Sequence, residues 1–289
     1  MRKINVSYLM SYDYGYLFTS LECIYEYVDQ IIISVDKKRK TWSGNDFIIE
    51  SDFFDKIKQI DSRNIIEIYE DDFYIKDLTP MECETRQRNL TLKKLNKGWK
   101  IQLDVDEYIY DFKEVKKILL KYWYLTLFPN ITPIGFIGRL VTLFKINKEE
   151  FYYIDNQEYF PFITNQNFNT KARNNFKIFN YILGVNVIHQ SWARKEEEIY
   201  AKIKNWGHRD DFDTMRYFNY WKNLNSDNYL DYKNFHPIVP EVWDELQLIK
   251  AKDIDDFIKK YSTLKSQNLI KFDLINYLKS ILYKKIKIS

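Results

Sequence analysis

Lys100-Ile101-Gln102-Leu103-Asp104-Val105-Asp106-Glu107-Tyr108 reads as a strand that ends in three carboxylates within four residues. Charge of that density at a strand end demands partners. In an extended chain, residues two apart project to the same side, so Asp104 and Asp106 are expected to point into a crevice while Val105 faces the core. Upstream, Lys3 to Met10 reads as a strand, Tyr16 to Val28 as a helix and Gln30 to Val35 as a buried strand. The pattern repeats with a helix face over Ser51 to Ile60, a strand over Asn64 to Tyr69, a helix over Pro80 to Leu95 with its proline in the first turn, and the strand from Trp99 to Val105. This alternation predicts an α/β fold, a mostly parallel sheet flanked by helices and joined by right-handed crossovers. Ligands of such sheets bind beyond the carboxyl ends of the strands, where the acidic run lies.

Downstream the order loosens. A helix over Phe112 to Phe128, strands over Ile134 to Lys145 and Phe151 to Ile154, a loop rich in Asn and Thr over Pro161 to Phe176, and a strand over Lys177 to His189 are expected. From Glu196 a helix places Ile199, Ile203 and Trp206 on one face and offers an i,i+4 pair between Glu198 and Lys202. Residues from about 212 onward read as wholly helical, broken at His236-Pro237 and Pro240. A catalytic domain over 1–215 followed by a helical C-terminal extension over 216–289 is the expected division.

Composition narrows the chemistry. With 289 residues, 45% hydrophobic, and 44 Lys+Arg against 41 Asp+Glu, the chain is neither disordered nor coated with positive charge, so no nucleic-acid partner is expected. No run approaches the roughly 20 apolar residues of a membrane span, and the start lacks a signal-peptide pattern, so a cytoplasmic protein is expected. The seven glycines form no GxGxxG, GxxxxGK[ST] or GxSxG, and the three histidines form no HExxH. Cys23 and Cys83 read as reduced packing residues. Aromatic residues reach 18%, enough for sugar-stacking platforms or for an aromatic core.

Paired hard oxygens on one face suit Mg²⁺ or Mn²⁺, which leaves positions open for phosphate oxygens; the alternative is an acidic strand end that caps the next helix. Arg86, Arg88 and Arg194 are candidates for pairing a diphosphate, because a guanidinium fork matches phosphate geometry. The loop Lys37-Lys38-Arg39-Lys40-Thr41-Trp42-Ser43-Gly44-Asn45 is either a phosphate clamp with Trp42 stacking on a base or sugar, or a solvated charge run. His189 is either a neutral metal ligand or a structural histidine.

Arg88-Asn89-Leu90, then Lys97-Gly98-Trp99, then Leu103-Asp104-Val105-Asp106-Glu107 resemble the ordered "RN…GxW…LDxDE" run of family 2 glycosyltransferases and their GT-A relatives. His189-Gln190-Ser191-Trp192-Ala193-Arg194, with Lys202 and Trp206-Gly207-His208 behind it, is similar to an "H-x-SWxR…K…GH" segment of a bacterial branch of that family; together the matches span roughly residues 1–215. The resemblance implies a GT-A-like fold and transfer of a sugar from a nucleotide-sugar donor to a glycan or lipid-linked acceptor, in bacterial surface polysaccharide synthesis. It implies Asp106 as direct metal ligand, Asp104 at the ribose or at the metal through water, Asp36 at the base or ribose, and Arg88 with Asn89 in the donor motif. His189 would complete the metal shell.

For the general base, Glu158 and either Asp210 or Asp211 are candidates without a motif of their own, and the familiar Glu-Asp pair of the family is absent. A metal-dependent phospho- or nucleotidyltransferase, or a non-catalytic carbohydrate-binding protein, are the rival readings. A haloacid-dehalogenase phosphatase would want DxDx[TV] after the first strand, whereas here the motif follows the fourth and ends in Tyr108. The tail from Ser262 carries six lysines and one acid among apolar residues, a basic amphipathic helix that either rests on an anionic membrane surface or packs on the catalytic domain.

Overall fold

The computed structural model describes residues 2–205 and 212–286. Trp206, His208, Asp210 and the candidate base Asp211 lie outside the described residues.

The first half follows the expected alternation: β1 (Ile4–Met10), α1 (Leu17–Ile24), β2 (Gln30–Asp36), α2 (Phe53–Ile60), β3 (Ile66–Asp71), α3 (Pro80–Lys94) and β4 (Trp99–Asp104). The start of α3 is set by a capping box, in which Thr79 Oγ1 accepts from the Glu82 amide at 3.3 Å and the Glu82 carboxylate accepts from the Thr79 amide at 2.8 Å. Its inward stripe, Cys83, Gln87, Arg88, Thr91 and Leu92, is largely polar although buried, so this helix delivers hydrogen-bonding groups to the sheet as well as apolar cover. Gly98 enters β4 with φ +135°, and a Cβ there would lie 2.4 Å from the Lys3 carbonyl oxygen, so only glycine fits the close passage beside β1.

Next come β5 (Glu107–Tyr108), α4 (Phe112–Lys121), β6 (Ile134–Asn147), β7 (Glu150–Thr164), β8 (Phe179–His189), α5 (Glu196–Asn205), α6 (Thr214–Asn223), β9 (Gln247–Lys250), α7 (Ile254–Leu264) and α8 (Leu274–Ile286). One nine-stranded sheet runs in the order β3-β2-β1-β4-β7-β6-β8-β5, with β9 added to β7. Strands β3 to β4 are parallel, as are β6 and β8; the remaining pairs are antiparallel. This is the expected α/β fold, a sheet flanked by helices, with a more antiparallel second half than the alternation of the first hundred residues predicts.

Three expectations change. Strand β7 extends ten residues past Ile154 to Thr164, because Pro161 falls at a register shift opposite Ile137, where a missing N–H costs no ladder bond. The predicted helix to Phe128 stops at Lys121 and continues as a 3₁₀ turn over Trp123–Thr126. The region after 216 is not wholly helical: β9 pairs with β7 from Glu150↔Lys250 to Tyr153↔Gln247, and Phe272, Tyr277 and Ile281 belong to the main core. A second core of Phe144, Trp192, Tyr217, Trp221, Phe235 and Trp243 sits between β6, β7 and the α5–α6 region, and it absorbs much of the aromatic content.

Lys100 on β4 is almost completely buried and donates to the Leu92 carbonyl and to Asn167 Oδ1. Burial lowers its pKa to about 8. Between about 8 and the unfolded value near 10.4, the unfolded chain binds more protons than the native one, so stability rises with pH across that window. In urea titrations, wild type is expected to gain about 2 kcal/mol relative to Lys100→Met between pH 7.5 and 10.

Candidate active site

Only Val105 and Asp106 separate β4 from β5, yet β5 occupies the far edge of the sheet and pairs with the end of β8, Glu107↔His189. Two intervening residues reach at most about 11 Å, so the carboxyl ends of β4 and β8 are drawn together. The acidic run is that bridge. Residues 105 and 106 form a turn, so strand alternation no longer decides where the carboxylates point.

Each carboxylate meets a guanidinium. Asp104 Oδ1 lies 2.8 Å from Arg88 Nη2 and Oδ2 lies 3.6 Å from Arg173 Nη2. Glu107, fully buried, accepts both Arg173 terminal nitrogens at 2.6 and 2.8 Å and receives the Asp104 amide at 3.0 Å. Asp106 Oδ2 lies 2.5 Å from Arg194 Nη2 and 3.5 Å from His189 Nε2. Arg194 also reaches Asp13 Oδ2 at 3.3 Å and lies over the Tyr16 ring. Lys202 Nζ donates to Ser191 Oγ at 2.9 Å rather than pairing with Glu198, whose carboxylate accepts from Tyr16 and from the Lys195 amide. The inward turn of Lys202 adds a cation to this cluster.

Electrostatics follow from these contacts. Burial opposes ionisation of Asp106, but His189 and Arg194 outweigh it and hold the carboxyl well below its ordinary range. For Asp104, burial is likewise outweighed, by Arg88 and Arg173. Burial alone would push the His189 imidazole down; the adjoining Asp106 carboxylate reverses this, and the net shift is upward. Burial, reinforced by Arg194, lowers Lys202 to about 8.

The presentation of Arg173 depends on α3 and β4. Asn89 exchanges two hydrogen bonds with the Asn169 backbone, Gln102 accepts from the Asn169 side chain at 2.7 Å, and Thr85 Oγ1 accepts the Ala172 amide at 2.8 Å. The Asn-rich stretch is therefore a pinned belt. Asn89, expected at the donor, holds this belt.

Arg88 is buried between Glu84 and Asp104, which places it as a brace for the acidic run. Its Nη1, and that of Arg194, are buried and have no hydrogen-bond acceptor among the described residues. Arg86 has a similar orphan Nη1, but its charge acts on Asp71 and Tyr69 at the end of β3, away from the acidic run.

Asp36 does not offer its carboxylate to a ligand. Oδ1 accepts the Lys38 and Lys40 amides at 2.9 and 3.1 Å, and Oδ2 accepts those of Phe73 and Tyr74 at 2.9 and 3.0 Å. It thereby fixes two loops around a hollow of about 290 Å³ lined by Asp36, Lys38, Lys40, Tyr74, Ile75 and Lys76. The neighbouring basic run is internally paired: Lys37 and Lys38 with Asp72, Arg39 with Glu70, Lys40 with Asp46. Trp42 is docked on α3 through Gln87 at 2.7 Å. Glu158 Oε2 accepts from Trp243 Nε1 at 3.1 Å and Thr142 Oγ1 at 3.4 Å, and Thr142 is the β6 register partner of His189.

Among the described residues no group of three or more His, Cys, Asp or Glu side chains converges on one metal position. The adjacent carboxylate of Asp106 and imidazole of His189 still fit a hard divalent ion that takes its other ligands from phosphate and water. Asp104 is not in that pair, since both its oxygens face arginines.

Sequence reading missed Asp13 and Arg173, and placed Glu107 in the acidic run without giving it a role of its own. Asp13 was detectable, as it lies three residues past the carboxyl end of β1; Arg173 gave no local signal, since nothing in an Asn-rich stretch marks one arginine as inward-facing.

No family model matches the chain, and no curated protein matches it. Among solved structures, S. aureus TarS 1-349 aligns with 50% of this chain and 37% of its own at 11% identity, with a TM-score of 0.32. The mannosyltransferase PcManGT from Pyrobaculum calidifontis, solved with GDP-Man and Mn2+, aligns with 49% and 36% at 10% identity and a TM-score of 0.31. A Bacillus anthracis protein assigned as a glucose-1-phosphate thymidylyltransferase, solved with a sucrose, aligns with 94% and 98% at 9% identity and a TM-score of 0.30. The chain spans little more than a third of the first two. Likeness at this level carries no argument about chemistry, so the site stands on its own geometry.

Proposed function

We propose that this chain is a GT-A-like glycosyltransferase that moves a sugar from a nucleotide-sugar donor to a glycan or lipid-linked acceptor in bacterial surface polysaccharide synthesis. The observation that supports this best is the pair of buried Nη1 atoms of Arg88 and Arg194, which lack acceptors beside a cluster of ionised carboxylates. Buried donors of this kind want an anion, and a diphosphate supplies the acceptor oxygens.

In this reading Asp106 and His189 hold Mn²⁺ or Mg²⁺. Held there, the ion would supply Lewis-acid stabilisation of negative charge on the diphosphate. Arg194, oriented by Asp106, Asp13 and the Tyr16 ring, donates to the diphosphate oxygens, and Lys202 adds positive charge behind it. Asp104, braced by Arg88, serves the ribose or the metal through water. The hollow beside Asp36 takes the nucleotide base between the two loops that this residue fixes. Glu158 takes the acceptor hydroxyl proton as the new C1–O bond forms and the bond from C1 to the diphosphate breaks.

Titration calorimetry with UDP, GDP and CDP, with and without Mn²⁺, tests the proposal. One nucleoside diphosphate is expected to bind in a Mn²⁺-dependent way, and Arg194→Met to weaken it at least about tenfold. Binding unchanged in Arg194→Met would overturn it. Release of pyrophosphate from a nucleoside triphosphate and a sugar phosphate would instead identify a nucleotidyltransferase.

A further inference from the structure

Helix α8 carries more apolar surface than the core covers. Tyr277 and Ile281 face inward, with Tyr277 in ring contact with Phe179 and Tyr181 of β8 and with Phe272. Ile275, Leu278 and Leu282 follow at i, i+3 and i+7 on an adjoining stripe and are 68%, 42% and 62% exposed. An apolar sector this wide belongs to a helix covered on two sides, and only one side is covered here.

A second apolar feature lies at the same end of the sheet. Leu127, Phe128 and Ile131, exposed by 46%, 65% and 51%, form the turn that leads into Ile134. Ile134 is the register partner of Phe179, which touches Tyr277. Patches of this kind on a monomer mark a contact surface.

Charge says what covers it. Lys271 and Lys279 are exposed beside the α8 stripe, and neither has an ion-pair partner among the described residues. Lys121 is exposed at the end of α4, close before the 127–131 turn. The one acid of the tail, Asp273, is turned to the helix start, where it accepts the Asn276 amide at 3.0 Å. Lys284, Lys285 and Lys287 extend the basic sequence, although their side chains lie outside those described. Aliphatic and Phe side chains beside exposed lysines, with the one exposed acid of the tail engaged in capping the helix, complement a bilayer bearing anionic headgroups. Among the described residues no helix is long and apolar enough to cross a membrane, so the contact is interfacial.

We propose that α8 and the 127–131 turn form one surface that docks on an anionic lipid membrane. The proposal is independent of the transferase reading. From Tyr181, against α8, to His189 at the candidate site, β8 runs eight residues, roughly 25 Å at about 3.3 Å each. Docking therefore leaves the site at the end of the sheet remote from the bilayer.

Deletion of the tail cannot test this, because Phe272, Tyr277 and Ile281 belong to the core. The full chain is instead co-sedimented with vesicles of phosphatidylcholine alone and of phosphatidylcholine mixed with phosphatidylglycerol. Wild type is expected to bind the anionic vesicles and to release at high salt. The triple variant I275S/L278S/L282S should bind at least about tenfold more weakly with its unfolding midpoint unchanged, since it alters exposed side chains. Should the triple variant fail to fold, Phe128→Ser in the separate turn and K271E/K279E give independent reductions. Equal binding of wild type to neutral and anionic vesicles, undiminished binding of the folded variants, or a dimer of the free protein that these substitutions dissociate without any vesicle binding, would overturn the proposal.

Discussion

Asp106→Asn is expected to lower sugar transfer by about 10²–10³-fold in kcat while the chain remains folded, on the proposed activity. The substitution keeps the side-chain volume and removes only the charge. That charge orients Arg194 at 2.5 Å and faces His189 at 3.5 Å, so both the guanidinium aimed at the diphosphate and the metal-binding pair lose their reference point. His189 and Arg194 keep the Asp106 carboxyl ionised throughout the neutral range, so the wild type carries the charge that the variant lacks. Steady-state kinetics with the donor identified by calorimetry would separate kcat from KM, and circular dichroism would verify the fold. Transfer at the wild-type rate in a folded variant would remove Asp106 from the mechanism.

The largest stability effect is expected at Glu107→Gln, a loss of about 3–5 kcal/mol. Glu107 is fully buried and holds Arg173 through two contacts, so neutralising it strands a nearly buried guanidinium with only Asp104, 3.6 Å away. It also weakens the acceptor for the Asp104 amide. Replacing both partners, as in E107L/R173M, should cost less than the sum of the two single changes, because no unpaired charge is left inside. Urea unfolding of the three variants and wild type gives the coupling directly. An additive cycle would show that the pair contributes nothing beyond its separate parts.

The two expectations differ in kind. Asp106 can lose its charge and leave the neighbouring backbone in place, whereas Glu107 ties the turn after β4 to the belt that covers it. Adjacent carboxylates thus divide the work of chemistry and of fold.

Much of the framework was legible in the chain itself. The alternation of β1 to β4 with α1 to α3, the proline in the first turn of α3, and the acidic end of β4 arise from periodicity and backbone preference over a few residues. Their boundaries moved by a residue or two, except that α1 ends at Ile24, four residues before the expected Val28. The parts that were misread depend on distant partners. Strand β7 continues past Pro161 because of the register it keeps with β6, and β9 forms because β7 leaves an unpaired edge nearly a hundred residues earlier in the chain.

Within the candidate site, residue types were readable and pairings were not. Asp104, Asp106, His189 and Arg194 could be picked out as chemistry-bearing, but not that Arg88 also braces Asp104 or that the Asp36 carboxylate holds two loops. What the sequence alone determined is the order of elements and the placement of three carboxylates at a strand end, because local backbone preference and side-chain period are short-range properties. Which cation meets which carboxylate, and which apolar face of α8 is left uncovered, was decided only by the tertiary fold. The contacts of Arg173, of Arg194 and of Tyr277 join residues 66 to 181 positions apart, and their energies arise only once burial has stripped the water from both partners.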